Sequence, residues 1–492
     1  MNPIPLRRLP LYLRPTPSRV LVRPFLPAPE PRSINPTDAP RALKILTRIL
    51  SLSDEEVAGL LEQVMRDFGE RHIEIQAIFL SHFARVQQYL TTDRPVSEAR
   101  RLLIGAYFTH EYSLESAALF NPSIVPHPDQ SGVAEGSVRV ILSLRATGEG
   151  HISSITFRSG VVESNGNIEI DPPSPLVAPP RPIPSAQYER VLFRRKLGEL
   201  GVDNTFSRQV LETLEDCFTL DQLRSAIGIQ RRYRAEPEIV PTADRMILLA
   251  RANYDIEFDP GQSVSARIVF PFSPSESNGI EDARFVRFQE GDGSFTYFAT
   301  YTAYDGRVIL PQLLETRDFL RFNIRTLNGP AVQNKGMALF PRRIRGHYCM
   351  LSRQDNENIH IMFSDHLHFW YESRVILRPT ESWEFIQLGN CGSPMETDAG
   401  WLVLTHGVGP MRKYCIGAIL LDREDPSRVI GRLREPLIKP VAEERDGYVP
   451  NVVYTCGAMI HAGHLIIPYA ISDSATTFAT VPLDVLLAAM SA

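Results

Sequence analysis

Two adjacent carboxylates beside an arginine are the first place in the sequence where chemistry could take place. Glu281 and Asp282 stand just before Arg284, at the start of the run Phe285–Phe288, which is apolar except for Arg287. If this stretch begins a β-strand, neighbouring side chains face opposite sides, so only one carboxylate can point into a given cavity. A carboxylic acid in a cavity can act as a general acid or base. The alternative interpretation is a salt bridge on the surface at the start of a strand.

Cationic and hydrogen-bonding side chains recur at the ends of predicted strands further along the chain. Each one alone has an ordinary structural explanation, because a lone histidine is usually part of the core and a lysine beside a turn is usually solvated. Together they could converge on one anionic ligand if the strands surround a common axis. These residues are Lys335, Arg353, Cys391, Ser393, His406, Tyr454 and Asp473.

Signatures of several other enzyme classes are missing from the sequence. It contains no P-loop and no GxGxxG, GxSxG or HExxH motif. His366 and His368 could share one face of a strand and bind a metal, but no third ligand lies near them in sequence. The five cysteines form no CxxC pair, which excludes a zinc ribbon. We therefore expect no metal and no organic cofactor.

Composition and charge restrict the class of protein and its location. The net charge is −5 and the isoelectric point is near 6.2, which argues against a general nucleic-acid-binding surface. The sequence has no apolar run long enough to span a membrane. Its sparse, odd set of cysteines suits a reducing compartment, and prolines interrupt the basic N-terminus. The sequence predicts a cytoplasmic protein without a membrane partner.

The first part of the chain, residues 1–135, is predicted to be an extended arm followed by a helical region. Ser53 and Glu56 have the spacing of a capping box and precede apolar residues at helical spacing. This region could pack on the rest of the protein and form an oligomer surface. Alternatively, its end at 110–129, or the later stretch 145–151, could reach the active site. The predicted helices after the first cover Ile75–Leu90, Val96–Phe108 and Ser113–Phe120.

The remainder, residues 136–492, is predicted to be mainly strands. A proline-rich linker at 171–184 precedes a helical insertion at about 185–235. Strand patterns then follow one another from about Ile239, beginning with residues 244–258, without helices of βαβ length between them. This pattern favours an all-β propeller, sandwich or barrel. Aromatic-rich strand clusters recur roughly every 50–60 residues, the scale of a four-stranded blade.

Six stretches in the strand-rich region resemble glycoside hydrolase family 130, and they occur in the family's order. That order makes the resemblance more specific than any single motif. The resemblance spans about residues 240–485 and excludes the helical region and the insertion. The stretches are GIEDAR at 279–284, YFATYTAYDG at 297–306, residues 334–353, residues 383–408, residues 414–430 and GYVPNVVYTCG at 447–457.

The resemblance implies a five-bladed β-propeller that acts on β-mannosides with inversion at the anomeric carbon. In the family's phosphorylases, inorganic phosphate attacks C1 and releases α-mannose 1-phosphate. The catalytic acid of the family falls on Asp282, whose proton would pass through the mannosyl 3-hydroxyl to the glycosidic oxygen. Phosphate would be a co-substrate, and no cofactor is implied. The implied substrate is a β-manno-oligosaccharide or a mannosyl-glucose.

The same resemblance assigns roles to other residues and also shows departures from the family pattern. It places phosphate against Lys335, Arg353 and His406, with Tyr454 less secure, and an arginine suits phosphate because its fork binds two oxygens. It implies that Asn253, Glu281, Asp305 and Asp473 bind substrate. The departures are Ala283, Ser393-Pro394 and Thr405, which bear on glycan specificity.

Two other functions remain open from the sequence. An inverting β-1,2-mannosidase would use water and need a second carboxylate as base. Glu281, Glu149 and Asp305 are the candidates for that base. A glycan-binding propeller without catalysis is the third possibility, and the intact Asp282 argues against it. We expect a phosphorylase because three potential cations, rather than carboxylates, occupy the positions of Lys335, Arg353 and His406.

Overall fold

A computed structural model describes residues 4–27, 41–90, 92–183, 187–232 and 237–490. The chain forms two compact units, each with its own internal contacts. The larger unit contains residues 1–15, 115–173 and 179–492, and the smaller contains residues 16–114 and 174–178. The predicted boundary at 135 therefore differs from this division, which assigns residues 115–135 to the strand-rich unit. No helix among the described residues is long and apolar enough to cross a membrane.

The chain begins with a strand of the larger unit, β1 (Arg7–Leu13), and then enters the smaller unit. Strand β2 (Val20–Pro24) confirms the predicted extended stretch and pairs with β3 (Thr109–Ser113). The capping box is confirmed, because Ser53 Oγ accepts from the Glu56 amide and the Glu56 carboxylate accepts from the Ser53 amide. The helices of this unit are α1 (Arg41–Leu50), α2 (Asp54–Phe68), α3 (Ile75–Val86) and α4 (Glu98–Tyr107).

The predicted helix at Ser113–Phe120 is wrong. The chain instead enters strand β4 (Ala118–Pro126), whose residues are buried along almost its whole length. Pairing with the next strand outweighs the weak helical preference of the isolated sequence. A β-bulge between Phe120 and Ser123 accommodates Pro122 within the strand. The following strands are β5 (Val138–Thr147), β6 (Ser153–Val162) and β7 (Ile168–Ile170), as the sequence predicts.

The helical insertion is confirmed but extends further than predicted. Residues 244–258 were expected to be a strand, yet most of them form a helix. Ile239, Ala243, Met246 and Ala250 are buried at helical spacing, which is the period that identifies this helix. Residues 184–186 of the predicted linker and insertion lie outside the described residues. The elements are β8 (Arg181–Ile183), β9 (Gln187–Glu189), α5 (Arg190–Glu199), α6 (Thr205–Glu212), β10 (Cys217–Thr219), α7 (Leu220–Arg231) and α8 (Ile239–Arg251).

The next strands complete the largest sheet. Its strand order is β4-β5-β6-β13-β14-β15-β16-β11-β8, and β7 and β12 pair with β6. A single parallel bridge between Gly279 and Ser153 joins its two halves. Within each half, the neighbouring strands are antiparallel. The strands are β11 (Tyr254–Glu257), β12 (Ile268–Val269), β13 (Gly279–Gln289), β14 (Phe295–Tyr304), β15 (Ile309–Thr316) and β16 (Arg321–Thr326).

Two further antiparallel sheets follow in chain order. The first has the order β17-β18-β19-β20, and the second has the order β21-β23-β24-β25 with β22 on β23. Their facing apolar side chains form one buried cluster that includes Phe340, Ile361 and Trp401. The strands are β17 (Ala338–Leu339), β18 (Tyr348–Ser352), β19 (Ile359–Ser364), β20 (Arg374–Leu377), β21 (Gln387–Asn390), β22 (Met395–Thr397), β23 (Gly400–Val408), β24 (Tyr414–Leu421) and β25 (Val429–Arg432).

The last sheet joins the two ends of the described chain. Its order is β1-β29-β28-β26, with β27 on β28, so the first strand supplies the edge next to the last one. Arg7 pairs with Thr480 and Leu13 with Thr476. The larger unit is thus mainly β, with helices in its insertion and at its end. The elements are β26 (Val453–Tyr454), β27 (Met459–His461), β28 (His464–Ile471), β29 (Ala475–Pro482) and α9 (Leu483–Met490).

Candidate active site

A β-bulge in β13 sets the position of the two adjacent carboxylates. The register with β14 shifts between Glu281 and Arg284, and Asp282 has a positive φ of 55°. The strict alternation expected of a strand therefore fails here. Both carboxylates meet the same guanidinium, at 3.0 Å from Glu281 and 3.2 Å from Asp282. The expectation that only one of them could face the cavity was wrong, because the bulge turns both toward Arg145.

Asp282 is held by residues that come from far earlier in the chain. Its Oδ1 accepts hydrogen bonds from Asn121 Nδ2 at 2.7 Å and from Arg145 Nη1 at 3.2 Å. Burial raises the pKa of Asp282, but the positive charges of Arg145 and Arg284 outweigh this effect and lower it to about 2. Its side chain is only 15% exposed, so the surface salt bridge considered from the sequence is excluded.

Glu281 is fixed between two cations. Its Oε1 accepts from Arg145 Nη2 at 3.0 Å, and its Oε2 accepts from Lys335 Nζ at 2.5 Å. Lys335 also helps to lower the pKa of Asp282. Both oxygens of Glu281 are thus engaged in ion pairs, which makes the carboxylate a structural counter-ion. We call Arg145, Glu281, Asp282, Arg284 and Lys335 the ionic cluster.

Arg284 connects the bulge to other sheets of the larger unit. It is 2% exposed, and its Nε donates to the carbonyl oxygen of Cys391 at 2.7 Å. Its Nη2 donates to Tyr454 Oη at 2.8 Å, and its Nη1 donates to the backbone oxygen of Asp282. Because Tyr454 uses an oxygen lone pair for this bond, its own hydroxyl hydrogen remains available for another acceptor. Burial raises the pKa of Tyr454, so the hydroxyl stays protonated.

Arg353 and His406 form a second pair beside the ionic cluster. Arg353 Nη1 lies 3.1 Å from His406 Nε2, and His406 is fully buried. Burial lowers the pKa of His406 well below its ordinary value, and the charges of Arg353 and Arg284 lower it further. His406 is therefore neutral and accepts from Arg353. The expectation of three cations at these positions is corrected to two, Lys335 and Arg353.

Two glycines make room for the Arg353–His406 pair. A Cβ atom on Gly389 would lie 2.5 Å from His406 Cε1 and 2.9 Å from Arg353 Cδ. A Cβ atom on Gly336 would lie 2.9 Å from Arg353 Cγ, and Gly336 also has a positive φ of 86°. Any larger residue at either position would displace the guanidinium. Arg353 Nε is buried and has no hydrogen-bond partner among the described residues.

Asp473 also belongs to this neighbourhood. It lies in the turn between β28 and β29 and has a positive φ of 49°. Burial and the negative charge of Asp282 raise the pKa of Asp473 to about 6, while Arg145 and Arg412 oppose the shift. The site therefore contains two carboxyl groups with well-separated pKa values, an arrangement common in acid–base chemistry.

Two residues predicted to bind substrate make hydrogen bonds within the protein. Asn253 follows α8, where its Nδ2 donates to the backbone oxygen of Leu249 and its Oδ1 accepts from the amide of Thr326. Asp305 lies in the hairpin between β14 and β15, and its Oδ1 accepts from the amides of Arg307 and Val308. These bonds end a helix and fix a turn, so both side chains are already engaged without a ligand.

The histidine pair considered for a metal does not gain a third ligand. His366 Nε2 lies 3.8 Å from Glu189 Oε2, and burial lowers the pKa of His368 to about 4. No group of three histidine, cysteine, aspartate or glutamate side chains in the described parts of the chain could hold a metal ion.

A comparison with protein families decides the identity of the strand-rich region. The model of Glyco_hydro_130, described as beta-1,4-mannooligosaccharide phosphorylase, matches residues 245–492. The chain belongs to glycoside hydrolase family 130. Membership confirms the resemblance seen in the six sequence stretches, all of which lie within the matched residues.

Individual family 130 relatives support the same assignment. A 1,2-beta-oligomannan phosphorylase of Thermoanaerobacter sp. (strain X514) is 37% identical over 207 residues, which cover 40% of this chain and 67% of that protein. A beta-1,2-mannobiose phosphorylase of Listeria innocua is 34% identical over 214 residues, 42% of this chain and 58% of that protein. A solved structure of a Listeria innocua beta-1,2-mannobiose phosphorylase has a TM-score of 0.45 at 21% identity, covering 77% of this chain and 93% of that one.

The family match leaves out part of the site. Asn121 and Arg145 precede the matched residues, yet both contact Asp282. The idea that the stretches 110–129 and 145–151 reach the site is thus confirmed at these two residues. Sequence reasoning did not select either as a site residue. The signal was present at Asn121, where an asparagine, which tolerates a positive φ, precedes a proline in a buried strand.

Proposed function

We propose that this family 130 protein is an inverting phosphorylase that cleaves a β-mannoside with inorganic phosphate to give α-mannose 1-phosphate. The observation that carries the proposal is the excess of cations around Asp282. Four cationic side chains, Arg145, Arg284, Lys335 and Arg353, lie with three carboxyl groups, those of Glu281, Asp282 and Asp473. A site with this balance favours a dianionic co-substrate.

The hydrogen-bond donors that remain unused suit phosphate. Lys335 has three N–H groups, of which one bonds Glu281, so two remain. Arg353 keeps its Nε–H, and Tyr454 keeps its hydroxyl hydrogen. We assign phosphate to Lys335, Arg353 and Tyr454. His406 then orients Arg353 as an uncharged acceptor and does not supply charge itself.

Asp282 is the proposed proton donor, and its low pKa places a condition on that role. With a pKa of about 2, the carboxyl group is ionised at neutral pH before substrates bind. Bound phosphate brings negative charge close to Asp282, and a bound sugar excludes water from it. Both changes raise the pKa of a carboxyl group. Asp282 therefore takes up its proton when the substrates bind and passes it toward the glycosidic oxygen.

Hydrolysis by water is the competing function. The contacts of Glu281 and Asp305 argue against it, because they already occupy these carboxylates. An inverting hydrolase needs a free carboxylate as base on the opposite side of the sugar. Glu281 has both oxygens in ion pairs, and Asp305 accepts two backbone amides. Asp473, which lies outside the ionic cluster and has a pKa of about 6, is the carboxyl group that remains for such a role.

We further propose that the two halves of the largest sheet and the three sheets that follow it are the five blades of a β-propeller. The support is the convergence of strands on β13, because residues 281–284 bond groups on or beside a strand of the other half of the largest sheet and a strand of each of the three sheets that follow it. Asn121 is on β4, Lys335 precedes β17, Cys391 follows β21 and Tyr454 is on β26. A site on the central axis of a propeller receives one strand from each blade.

The substrate is proposed to be a β-manno-oligosaccharide, as the names of the relatives suggest. Cytoplasmic location and a possible homo-oligomer stay predictions. The decisive experiment is incubation of the protein with β-1,2-mannobiose, and separately with β-1,4-mannosyl-glucose, with and without phosphate. We expect α-mannose 1-phosphate only when phosphate is present. Release of mannose at the full rate in phosphate-free buffer would identify water as the nucleophile.

A further inference from the structure

Three loops of the larger unit stand around the Asp282–Asp473 side of the site. They comprise residues 148–151, residues 410–412 and residues 447–448 together with the turn 472–473, and we call them the rim loops. Several non-glycine residues in them have a positive φ, a backbone conformation that strains residues with a side chain. Strain of this kind is concentrated at ligand-binding sites. These residues are His151, Met411, Arg412, Ser472 and Asp473.

Backbone contacts hold parts of the rim loops together, and a side-chain hydrogen bond of the ionic cluster lies next to them. The amide of Val449 donates to the backbone oxygen of Ser472, next to Asp473. A Cβ atom on Gly447 would lie 2.5 Å from that same oxygen, so the two segments touch directly. On the other side, Ser153 Oγ accepts from Arg145 Nε at 3.0 Å, shortly after His151 in sequence. Arg412 acts electrostatically on Asp473.

One aromatic pair bridges two of the rim loops. Tyr448 Oη lies 3.1 Å from His151 Nδ1, and the two ring centroids are 5.7 Å apart. Tyr448 nevertheless remains 53% exposed, and Met411 in the next loop is 90% exposed. An exposed aromatic ring held by a neighbour offers a flat apolar surface with polar groups at its edge. That combination suits the apolar C–H face of a pyranose.

We propose that the rim loops form the subsite for the leaving-group sugar, with Tyr448 as the platform on which its ring packs. This inference rests on the proposed function, phosphorolysis of a β-mannoside. In the reverse reaction, synthesis from α-mannose 1-phosphate, the leaving-group sugar becomes the acceptor. The ionic cluster would hold the phosphate and the mannosyl unit that is transferred. The rim loops would decide which neutral sugar accepts it. His151 positions the Tyr448 ring, and Arg412 supplies donors for the sugar hydroxyl groups.

The test measures the reverse reaction, synthesis from α-mannose 1-phosphate with mannose or glucose as acceptor. Tyr448→Ala should raise the KM for the acceptor about tenfold, the effect of losing an aromatic contact together with its buried area. The KM for α-mannose 1-phosphate should stay within about twofold. Tyr448→Phe keeps the ring and loses only the bond to His151. Its KM for the acceptor should therefore lie between those of the wild type and Tyr448→Ala. Tyr371→Ala is the matched control, since Tyr371 is 71% exposed and lies outside the rim loops.

Failure of this inference can be told apart from failure of the proposed function. An unchanged acceptor KM, an equal rise in both KM values, or the same effect from Tyr371→Ala would overturn the subsite. If the wild-type protein consumes no α-mannose 1-phosphate, the proposed function fails, and the subsite is tested by calorimetry with β-1,2-mannobiose. A roughly tenfold weaker affinity in Tyr448→Ala than in wild type then supports the platform. Equal affinity, or no binding to the wild type, overturns it.

Discussion

The ionic cluster and the rim loops differ in almost every physical property, although they share one site. The ionic cluster is largely buried, and its charged groups are joined by short hydrogen bonds between residues on or beside strands. The rim loops are exposed around Tyr448 and Met411 and have strained backbone angles. The comparison indicates that the chemistry is set by a rigid, over-determined framework. Selection of the sugar is left to segments that can change without disturbing that framework.

The largest expected effect tests the ionic cluster at its centre. Asp282→Asn should lower kcat by about 10²–10⁴-fold, because it removes the general acid while keeping a similar shape. Circular dichroism should confirm that the fold is retained. Asp305→Asn is the matched control, since its Oδ1 can still accept the two backbone amides of its turn. Near-wild-type turnover of a folded Asp282→Asn protein would remove Asp282 from the mechanism.

The next effect separates the binding of phosphate from the binding of the mannoside at the same site. Arg353→Ala should raise the KM for phosphate by about 10–150-fold, which corresponds to the loss of a charge-assisted hydrogen bond. The KM for the mannoside should change much less. Arg343→Ala provides the control, because Arg343 is an exposed arginine that stacks on Tyr348 of the same sheet. Equal changes in both KM values would show that Arg353 supports the site as a whole.

The smallest effect concerns Asp473, which lies between the ionic cluster and the rest of the rim loops. The pKa of Asp473 is about 6 in the folded protein and about 4 when unfolded, so ionising it opposes folding. The stability of the wild type should therefore fall by about 2–3 kcal/mol relative to Asp473→Asn as the pH rises from 4 to 7. Melting temperatures measured at pH 4.5 and 7.5 would reveal this difference. Asp473→Glu retains a titrating group and should behave like the wild type, whereas a pH-independent difference would contradict the shifted pKa.

Much of the fold was predictable because apolar periodicity records burial directly. The capping box at Ser53 and the strands β5 and β6 follow from local sequence alone. The incorrect predictions concern segments whose secondary structure depends on pairing or packing with distant parts of the chain. Residues 113–120 carry no strong preference of their own, and residues 118–120 become the start of β4 because β5 offers them a partner. The helix α8 was missed because its apolar residues were counted as a run rather than at their helical spacing.

The site was predictable only where the family motif marks it. Asp282, Lys335 and Arg353 stand in the family stretches; Lys335 bonds Glu281 beside Asp282, and Arg353 lies against His406 and Gly336. Asn121 and Arg145 lie outside those stretches, and no local pattern shows that the chain returns them to Asp282. The bulge was also hidden, since a positive φ at an aspartate depends on the pairing around it. Asn253 and Asp305 were carried over by position, and their structural contacts are visible only in three dimensions.

Strand β1 gives the protein a dependence on the order of synthesis. Because Arg7–Leu13 pairs with β29 (Ala475–Pro482), β1 has no strand partner until residues 475–482 have left the ribosome. Until then, β1 is an unpaired strand with apolar side chains. Such edges readily pair with other chains. A nascent or truncated chain can therefore exchange its first strand with another copy, and an N-terminal fusion that hinders β1 would favour the same swapped product.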